Sequence, residues 1–330
     1  MATHYLYGTV LTSEAVAANN RGDNIGNTTT LQKVFHQDDL HTSVSAEAIR
    51  FALRYRFQLE GLDLNRTYDP DAGKLNYEDE KRTTWNPEGK VFIDDDLMGF
   101  MDAAAAQQER EEEDAAVIEG DGEQKAPAKG AKKPKAKGKT TRRISPLAIG
   151  RAVSLRPYRG EISFNAVSGE KAKGKLSLYN AEMHTTEYQY SFGVNLGDVI
   201  NKAHIGHLID AIIDPPSVAG NHARFAYDFS PASIILRVTN AHSSKIQNCF
   251  EHNETTRGYT VERLIQRIES GDIPADELIV GGEIAETPEG NELKKLGVTV
   301  FPGVKTAAQE ARQRIAAQGE EFASVSGNGR

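Results

Sequence analysis

The side chains of this sequence that could hold a metal ion or move a proton form two loose groups of histidines and carboxylates. The denser group comprises His36, Asp38, Asp39 and His41. Short clusters of this kind are more often solvated loops than metal sites. In the second group, His204 and His207 have helical spacing, but the apolar neighbours Ile205 and Leu208 indicate a packed helix, and no third ligand is identifiable. Neither group predicts a metal centre.

Other motifs of catalysis give no stronger signal. The glycine pairs are scattered, and none follows a strand and opens a helix, which argues against a dinucleotide site or a P-loop. Cys249 is the only cysteine, which excludes an intramolecular disulfide and a zinc site made of several thiolates, and favours a reducing cytoplasm. No apolar run is long enough to cross a bilayer. We therefore expect a cytoplasmic protein without a catalytic residue, a cofactor or a membrane partner.

Arginines and hydroxyl groups form a more promising pattern. Its members are Arg21 in a polar loop, then Ser43, Ser45, Arg50 and Arg54 around the start of a predicted helix. A helix N-terminus offers unpaired N–H donors and a favourable dipole, and two arginines one turn apart can bind successive phosphates. The combination predicts a surface that grips a sugar-phosphate backbone without reading bases. The alternative, that Arg50 and Arg54 only solvate a surface helix with Glu47 beside Arg50, stays open.

The first hundred residues supply the elements that must position this pattern. The aromatic and β-branched stretch from His4 to Thr12 predicts a strand, with Leu6, Gly8 and Val10 on one face. The stretch from Ala17 to Thr30 is rich in Asn, Gly and Thr and predicts a loop.

The predicted helix begins near Ser45, whose hydroxyl can cap the first turn. Val44 and Ile49 have the spacing of a hydrophobic staple across that turn. The amphipathic pattern turns Ile49 and Leu53 toward a core.

The second half of the chain alternates strand-like and helix-like stretches. Strands are predicted over Tyr188 to Leu196, Ser233 to Thr239 and Gly297 to Phe301, and helices over Leu196 to Ile213, Val261 to Ile268 and Lys305 to Ala317. This order predicts an α+β fold with helices on one face of an antiparallel sheet, the ferredoxin-like or RRM-like arrangement found in RNA-recognition modules.

The middle of the chain has a composition of its own. From Glu109 to Glu123 it is dense in acid, whereas from Gln124 to Arg143 it has no acid and many lysines. Because large apolar residues are almost lacking between about 103 and 143, we predict a disordered insertion there. The formal net charge of -8 averages over these segments and says little about partners.

The stretch VAANNRGDNIGNTTTLQKVF followed by TSVSAEAIRFALR resembles the N-terminal signature of CRISPR Cascade backbone subunits of the RAMP superfamily. The segments HYLYGTVLTSE and TTTLQKVFH resemble the DevR-like branch. The resemblance implies that Arg21, Ser45, Arg50 and Arg54 contact the guide-RNA backbone. Glu47 departs from the usual glutamine, and an anion beside phosphate is unfavourable.

A looser resemblance covers the second half, through HTTEYQYSFGVNL and GNHARFAYDFSPASIILRV. It implies that His222 and Arg224 supply polar RNA contacts and that Phe225 packs or stacks there. Phe225 as a core residue is the open alternative. A Gly- and Lys-tipped hairpin at about 159–183 resembles the family's thumb, which wedges into the guide, and a surface hairpin without an RNA role would look the same.

In family terms the chain divides into a palm, a finger and a thumb. The expected bounds are a palm at 1–64 and 146–318, a finger insertion at 65–145, the thumb within the second palm part, and a flexible tail at 319–330. Several copies would assemble head to tail along one crRNA of a type I effector, as a filament that does not close. Target DNA would be recognised through base pairing with the guide.

The resemblance also implies other partners. These are the RAMP subunit that binds the guide 5′ handle, the small and large Cascade subunits, and a helicase-nuclease or transposition proteins recruited to the complex. Two alternatives stay open. Asp23 could cleave RNA with a divalent metal as in type III backbone subunits, or the chain could be a stand-alone nucleic-acid-binding regulator.

Overall fold

A large β-sheet lies at the centre of the structure, a computed structural model that describes residues 4–18, 24–36, 38–101, 142–166, 178–219, 227–253 and 258–317. The strands are β1 (Tyr5–Thr12), β2 (Ala15–Ala17), β3 (Asn24–Ile25), β4 (Thr28–Thr29), β5 (Lys33–His36), β6 (Asp39–Val44), β7 (Arg66–Asp69), β8 (Lys74–Tyr77), β9 (Phe100–Met101), β10 (Arg142–Arg143), β11 (Leu147–Ile149), β12 (Ala152–Ser154), β13 (Glu161–Ala166), β14 (Leu178–Thr186), β15 (Tyr188–Asn195), β16 (Pro231–Thr239), β17 (Glu251–Asn253), β18 (Gly258–Thr260), β19 (Leu278–Gly282) and β20 (Thr299–Phe301). The α-helices are α1 (Ala46–Leu59), α2 (Ile93–Met98), α3 (Ala203–Ile213), α4 (Glu262–Glu269), α5 (Pro288–Lys295) and α6 (Val304–Ala317).

The main sheet has nine strands in the order β20-β19-β16-β1-β15-β12-β6-β5, and β11 also pairs with β15. Its pairs are antiparallel except for β19 and β20. Strands that precede and strands that follow residues 65–145 therefore share one sheet. The fold is a mixed α+β arrangement, as the sequence predicts.

Strand β1 lies in the middle of this sheet because its two edges both find partners, β15 and β16. Its alternating residues face opposite sides, so that Leu6 and Val10 are buried in one apolar core and Leu11 in another. The sheet leaves no room for a side chain at Gly8, because a Cβ there would lie 2.2 Å from a ring carbon of Phe192. The strand predicted from His4 to Thr12 is confirmed.

Helices cover both faces of the sheet. On the face of Leu6, helices α1, α3 and α6 contribute Leu53, Leu208 and Ala311 to the larger core. On the face of Leu11, helices α4 and α5 contribute Leu264 and Leu293 to a smaller core. The expectation of helices on one face only is therefore wrong, because the amphipathic helices α4 and α5 bury their apolar stripes on the opposite side.

The predicted helix from Leu196 to Ile213 is shorter than expected. A 3-10 turn occupies Leu196–Asp198, and α3 begins only at Ala203. The backbone N–H groups of Ile200 and Asn201 each donate to the Asp96 carboxylate, at 3.0 Å. These bonds to a distant side chain replace the first helical turns.

A second sheet of five strands carries the hairpin β13–β14. Strands β2 and β4 both pair with β14, and β3 pairs with β4 through a turn at Gly26, which has a φ of 63°. The region predicted as a plain loop, Ala17 to Thr30, is thus partly β-structure. The tight turn is possible because glycine adopts positive φ without steric cost.

The region predicted as the finger, 65–145, contains in its described residues the hairpin β7–β8, helix α2 and the short ladder β9–β10. In that ladder Phe100 pairs with Arg143 and Met101 with Arg142. The predicted disordered stretch, 103–143, and the predicted tail, 319–330, lie outside the described residues except for Arg142 and Arg143. Among the described residues no helix is both long and apolar enough to span a membrane.

Candidate nucleic-acid interface

Helix α1 begins at the predicted cap. The Ala48 N–H donates to the Ser45 Oγ at 3.2 Å, and the Ser45 backbone is extended. Val44 and Ile49 are both buried, in agreement with the predicted staple. The cap determines where α1 begins and hence the directions in which Arg50 and Arg54 project.

Arg50 lies half-buried at the edge of the main sheet. Its Nη2 donates to the carbonyl oxygen of Leu147 at 2.9 Å. Burial lowers the pKa of Arg50, and the nearby Glu47 carboxylate opposes this shift. A guanidinium carries five N–H donors, so one bond to a carbonyl leaves capacity to bind an anion. Arg50 is therefore suitable for the predicted phosphate contact.

Arg54 points instead toward helix α2. Its Nε lies 3.7 Å from the Asp94 Oδ2, its Nη2 donates to the Met98 Sδ at 3.2 Å, and its side chain is only 12% exposed. Burial lowers the pKa of Arg54 to about 10, with a further contribution from Arg66 and opposition from Asp94. Of the polar residues that share one side of α1, Glu47, Arg50 and Arg54, the last is therefore directed into the protein. RNA contact by Arg54 stays a prediction that requires the side chain to leave Asp94.

Ser43 is completely buried. The Arg151 Nη1 donates to its Oγ at 3.2 Å, and Ser43 is the register partner of Val153 on β12. Ser43 therefore holds in place an exposed cation, Arg151, that the sequence pattern did not identify. Direct RNA contact by Ser43 stays a prediction.

The other predicted RNA-contacting residues lie outside the described residues: Arg21, His222, Arg224 and Phe225, and with them the candidate Asp23. The chain on either side of Arg21 is described. Ala17 pairs with His184 of β14, and Thr28 pairs with Asn180 of the same strand. The segment that contains Arg21 thus begins and ends beside the hairpin β13–β14.

The hairpin β13–β14 has the two antiparallel arms that the sequence predicts, with Glu161 opposite Met183. Ile162 and Phe164 on its outer arm are 58% and 70% exposed. At its base, the Lys33 Nζ donates to the Glu182 Oε2 at 2.5 Å and lies over the Tyr158 ring. The ion pair ties the hairpin to β5 of the main sheet. Residues 167–177, where the predicted tip falls, are outside the described residues.

The histidine clusters do not assemble into a metal site within the described ranges, where no group of three or more potential ligands occurs. The His36 and His41 rings contact edge to face, and the His41 Nδ1 lies 2.7 Å from the Ser154 carbonyl oxygen. His204 and His207 each face a carboxylate, Asp96 and Glu60 respectively. Burial lowers the pKa of His41, despite its bond to Ser154.

Helix α2 carries a group of residues that the sequence reading missed. Asp94, Asp95 and Asp96 are each at most 1% exposed. Asp94 accepts the backbone N–H groups of Asn65 and Arg66, at 2.9 and 3.1 Å. Burial raises the pKa of Asp94, and the hydrogen bond from Asn65 opposes the shift. The run of aspartates between the apolar Ile93 and Leu97 was the available signal of burial.

Asp96 connects helix α2 to α3. It pairs with Arg143, and the His204 Nδ1–H donates to it at 2.8 Å. Burial alone would raise the pKa of Asp96, but the bonds from His204 and from the N–H groups of Ile200 and Asn201 outweigh burial, and the pKa is lowered. The aspartates thus connect helix α2 to α1, to α3 and to the chain just before β7.

Comparison with known proteins gives a consistent picture. The family model described as CRISPR-associated negative auto-regulator DevR/Csa2 matches residues 9–254. A protein of Myxococcus xanthus (strain DK1622), the CRISPR-associated protein Cas7/Cst2/DevR, is 36% identical over 321 residues, which cover 94% of this chain and 97% of that protein.

Two solved structures share the fold. A chain of a CRISPR RNA-guided surveillance complex in a pre-nicking state aligns with a TM-score of 0.57 at 11% identity, covering 93% of this chain and all of the other. A chain of a second CRISPR RNA-guided surveillance complex aligns with a TM-score of 0.51 at 13% identity, covering 93% and 99% of the two chains. At such identities the likeness concerns the fold alone. The family match and the relative that spans nearly the full chain show that this protein belongs to the DevR/Csa2 family of CRISPR-associated proteins, which includes Cas7/Cst2/DevR.

Proposed function

We propose that the protein is a guide-RNA-binding backbone subunit of a type I CRISPR Cascade effector. Copies of it polymerise along the crRNA spacer and hold the guide ready to pair with target DNA. The protein supplies the geometry of the guide and carries no reaction chemistry of its own.

The observation that carries this proposal is the placement of two guanidinium groups against one short segment of the sheet edge. Arg50 donates to the carbonyl of Leu147, and Arg151 belongs to the same segment four positions later and donates to Ser43. Ser43 stands just before the cap of α1. Arg50 on the α1 face and Arg151 on the opposite face flank the same stretch of the sheet edge, so a strand that crosses this edge can bind both through its phosphates, and such contacts bind a backbone irrespective of its sequence.

Membership in a CRISPR-associated family, and the shared fold with chains of RNA-guided surveillance complexes, support RNA as the polyanion. In this proposal the hairpin β13–β14 is the thumb and residues 65–145 are the finger. Neighbouring copies, the 5′-handle-binding subunit and the small and large subunits complete the complex.

The first test is a gel shift of the purified, nuclease-treated protein on repeat-spacer RNA of several lengths, with magnesium and with chelator. We expect a ladder of complexes that lengthens with the RNA, and intact RNA in both conditions. A single complex of fixed stoichiometry at every length would contradict a backbone role.

The matched variants are Arg50→Gln and Arg263→Gln. Both remove a guanidinium that is already bonded within the chain, but Arg263 pairs with Glu251 on the opposite face of the sheet from α1. We expect Arg50→Gln to weaken RNA binding about tenfold and to reduce its salt dependence. Equal binding by the two variants would contradict the proposed groove.

A stand-alone regulator is the second candidate, because the matching family model carries the description of a negative auto-regulator. It predicts a defined stoichiometry on one particular sequence rather than a ladder. Magnesium-dependent RNA cleavage that disappears in Asp23→Ala would instead make the protein a nuclease of the type III kind.

A further inference from the structure

The face of the main sheet that carries Leu11 is only partly covered by helices. Helices α4 and α5 pack over Ile235 and Val280, whereas no helix of the described residues covers the part built by β11, β12 and β15. There a groove of about 520 Å³ runs between β12 and the segment that contains Gln247 and Asn248. This volume lies within the range of small-molecule sites, about 300–1,000 Å³.

An aromatic ring lies in a fixed position in the groove. The Tyr7 hydroxyl donates to the His242 carbonyl at 2.8 Å, and the Tyr5 ring stacks on the Tyr7 ring with centroids 5.5 Å apart. Tyr7 pairs in register with Gly193, where a Cβ would come within 2.9 Å of the ring. The absence of a side chain at Gly193 therefore lets the ring lie over β15.

The opposite wall presents two exposed amides, those of Gln247 and Asn248. Asn248 adopts a φ of 49°, and its N–H donates to the Ser191 Oγ at 3.3 Å. The Ser191 hydroxyl in turn lies 2.9 Å from that of Thr9. The wall is thus held by β1 and β15, the strands that also position Tyr7.

The charge of the groove favours an anion. Among the described residues that line it, Arg151 is the only charged one, and it is exposed. An aromatic ring, planar amides and one guanidinium, without a carboxylate, are the groups that hold an unpaired nucleotide by stacking, base-edge hydrogen bonds and phosphate contact. The bond from Arg151 to Ser43 places this cation next to the start of α1.

We propose that this groove is a binding site for one nucleotide of single-stranded RNA, with the base against Tyr7, the base edge at Asn248 and the phosphate at Arg151. The proposal rests on the proposed function and deepens it, because it adds a base-holding site on the opposite face of the sheet from α1. A strand that crosses the edge at Arg50 continues into the groove. The site accepts any base, since stacking and a single amide do not specify sequence.

The test uses repeat-spacer RNA that carries 5-iodouridine at one position per molecule, irradiated in complex with the full chain and mapped by mass spectrometry. We expect a crosslink to Tyr7 at regularly spaced positions. Arg151→Gln and Asn248→Gly, which keeps the positive φ, should reduce it at least about fivefold. Arg263→Gln should leave it unchanged.

The variant Tyr7→Leu should abolish the crosslink, and circular dichroism reports whether it folds. Crosslinks that map elsewhere while the RNA ladder and the Arg50→Gln effect persist would overturn the groove and leave the proposed function standing. Absence of any RNA complex would overturn both. If the unirradiated protein self-associates without RNA and Arg151→Gln prevents this, the groove is a protein interface and the proposal is wrong.

Discussion

Arg50 and Arg54 lie one turn apart on the same helix, yet their surroundings differ. Arg50 reaches a backbone carbonyl at the sheet edge, whereas Arg54 neutralises a buried aspartate. Removing both at once would confuse loss of RNA binding with loss of stability. For this reason Arg50 alone is the informative position for RNA.

At Arg54, we expect substitution by alanine to lower the free energy of unfolding by about 3 kcal/mol, because it leaves the Asp94 carboxylate buried without its cation. Arg50→Ala should cost less, since it removes a half-buried side chain from one carbonyl. Urea unfolding of both variants measures the difference. Equal stabilities would show that the bonds from Asn65 and Arg66 suffice to hold Asp94.

His184 gives a pH-dependent contribution to stability. It is 3% exposed and its Nδ1 lies 2.8 Å from the Thr42 Oγ1. Burial lowers its pKa to about 4 from the ordinary 6.5; His41 and Arg156 add to this shift, and the Pro157 backbone opposes it. Below pH 6.5, His184 therefore binds a proton in the unfolded chain but stays neutral in the folded chain. The free energy of unfolding falls as the pH is lowered, until about pH 4.

We expect His184 to lower the free energy of unfolding of the wild-type protein by about 2 kcal/mol when the pH is lowered from 7.5 to 5. In His184→Asn, which keeps a polar atom near Thr42, that part of the loss should vanish. Urea unfolding at the two pH values measures it, and the remaining histidines cancel in the comparison. An identical loss in both proteins would contradict a buried neutral His184.

Residue positions were predictable where the signal is local. Ser45, Val44 and Ile49 determine the start of α1 within one turn, and the structure has that cap. The inward turn of Arg54 was not predictable, because its partner Asp94 lies far along the chain, in the stretch that the resemblance assigns to the finger insertion. The position of the exposed Arg151 was not predictable either. It depends on the hydrogen bond to buried Ser43, which forms only because β12 pairs with β6.

At the scale of elements, the strands with alternating patterns were the most predictable. β1, β15 and β16 lie within a residue or two of their expected bounds. The start of α3 was not predictable, because the N–H groups of Ile200 and Asn201 donate to the Asp96 carboxylate instead of forming helical hydrogen bonds. The second layer of helices was missed as well, since an apolar stripe on α4 does not reveal which face of a sheet it will cover.

The close packing of β1 on β15 can be tested with two glycines. Gly8→Ala should lower the free energy of unfolding by about 2 kcal/mol or more, because its Cβ would overlap the Phe192 ring. Gly206→Ala in α3 is the matched control, since nothing lies within 4 Å of its Cβ position. There we expect a gain of up to about 1 kcal/mol from helix propensity. Chemical denaturation of both variants measures these changes. A Gly8→Ala variant with an unchanged free energy of unfolding would contradict the close contact with Phe192.

At the scale of the whole molecule, the two ends of the chain that flank residues 102–141 lie side by side. Met101 and Arg142 are register partners in the ladder β9–β10, so the chain leaves and returns at adjacent positions. Phe100 contacts Trp85, and the Arg143 guanidinium lies over the Trp85 ring, which anchors the ladder on the segment that precedes α2.

We therefore expect replacement of residues 102–141 by the dipeptide Asn-Gly to leave the fold intact. A two-residue turn closes an antiparallel ladder at such a pair, and loop length itself contributes little to stability. The free energy of unfolding should change by less than about 1 kcal/mol. Thermal and urea unfolding measure it, and a variant that fails to fold would show that the insertion contributes to the core.

The central position of β1 also has a consequence for biosynthesis. Leu11, near the end of β1, pairs with Gln189 and Ser233, which lie far downstream in the chain. At about 5–20 residues per second, roughly 10 to 40 seconds pass before the first of these partners is synthesised. Throughout that interval an apolar strand has both edges unpaired and is open to wrong pairing. The yield of folded protein therefore depends on protection of β1 during synthesis as well as on the stability of the finished sheet.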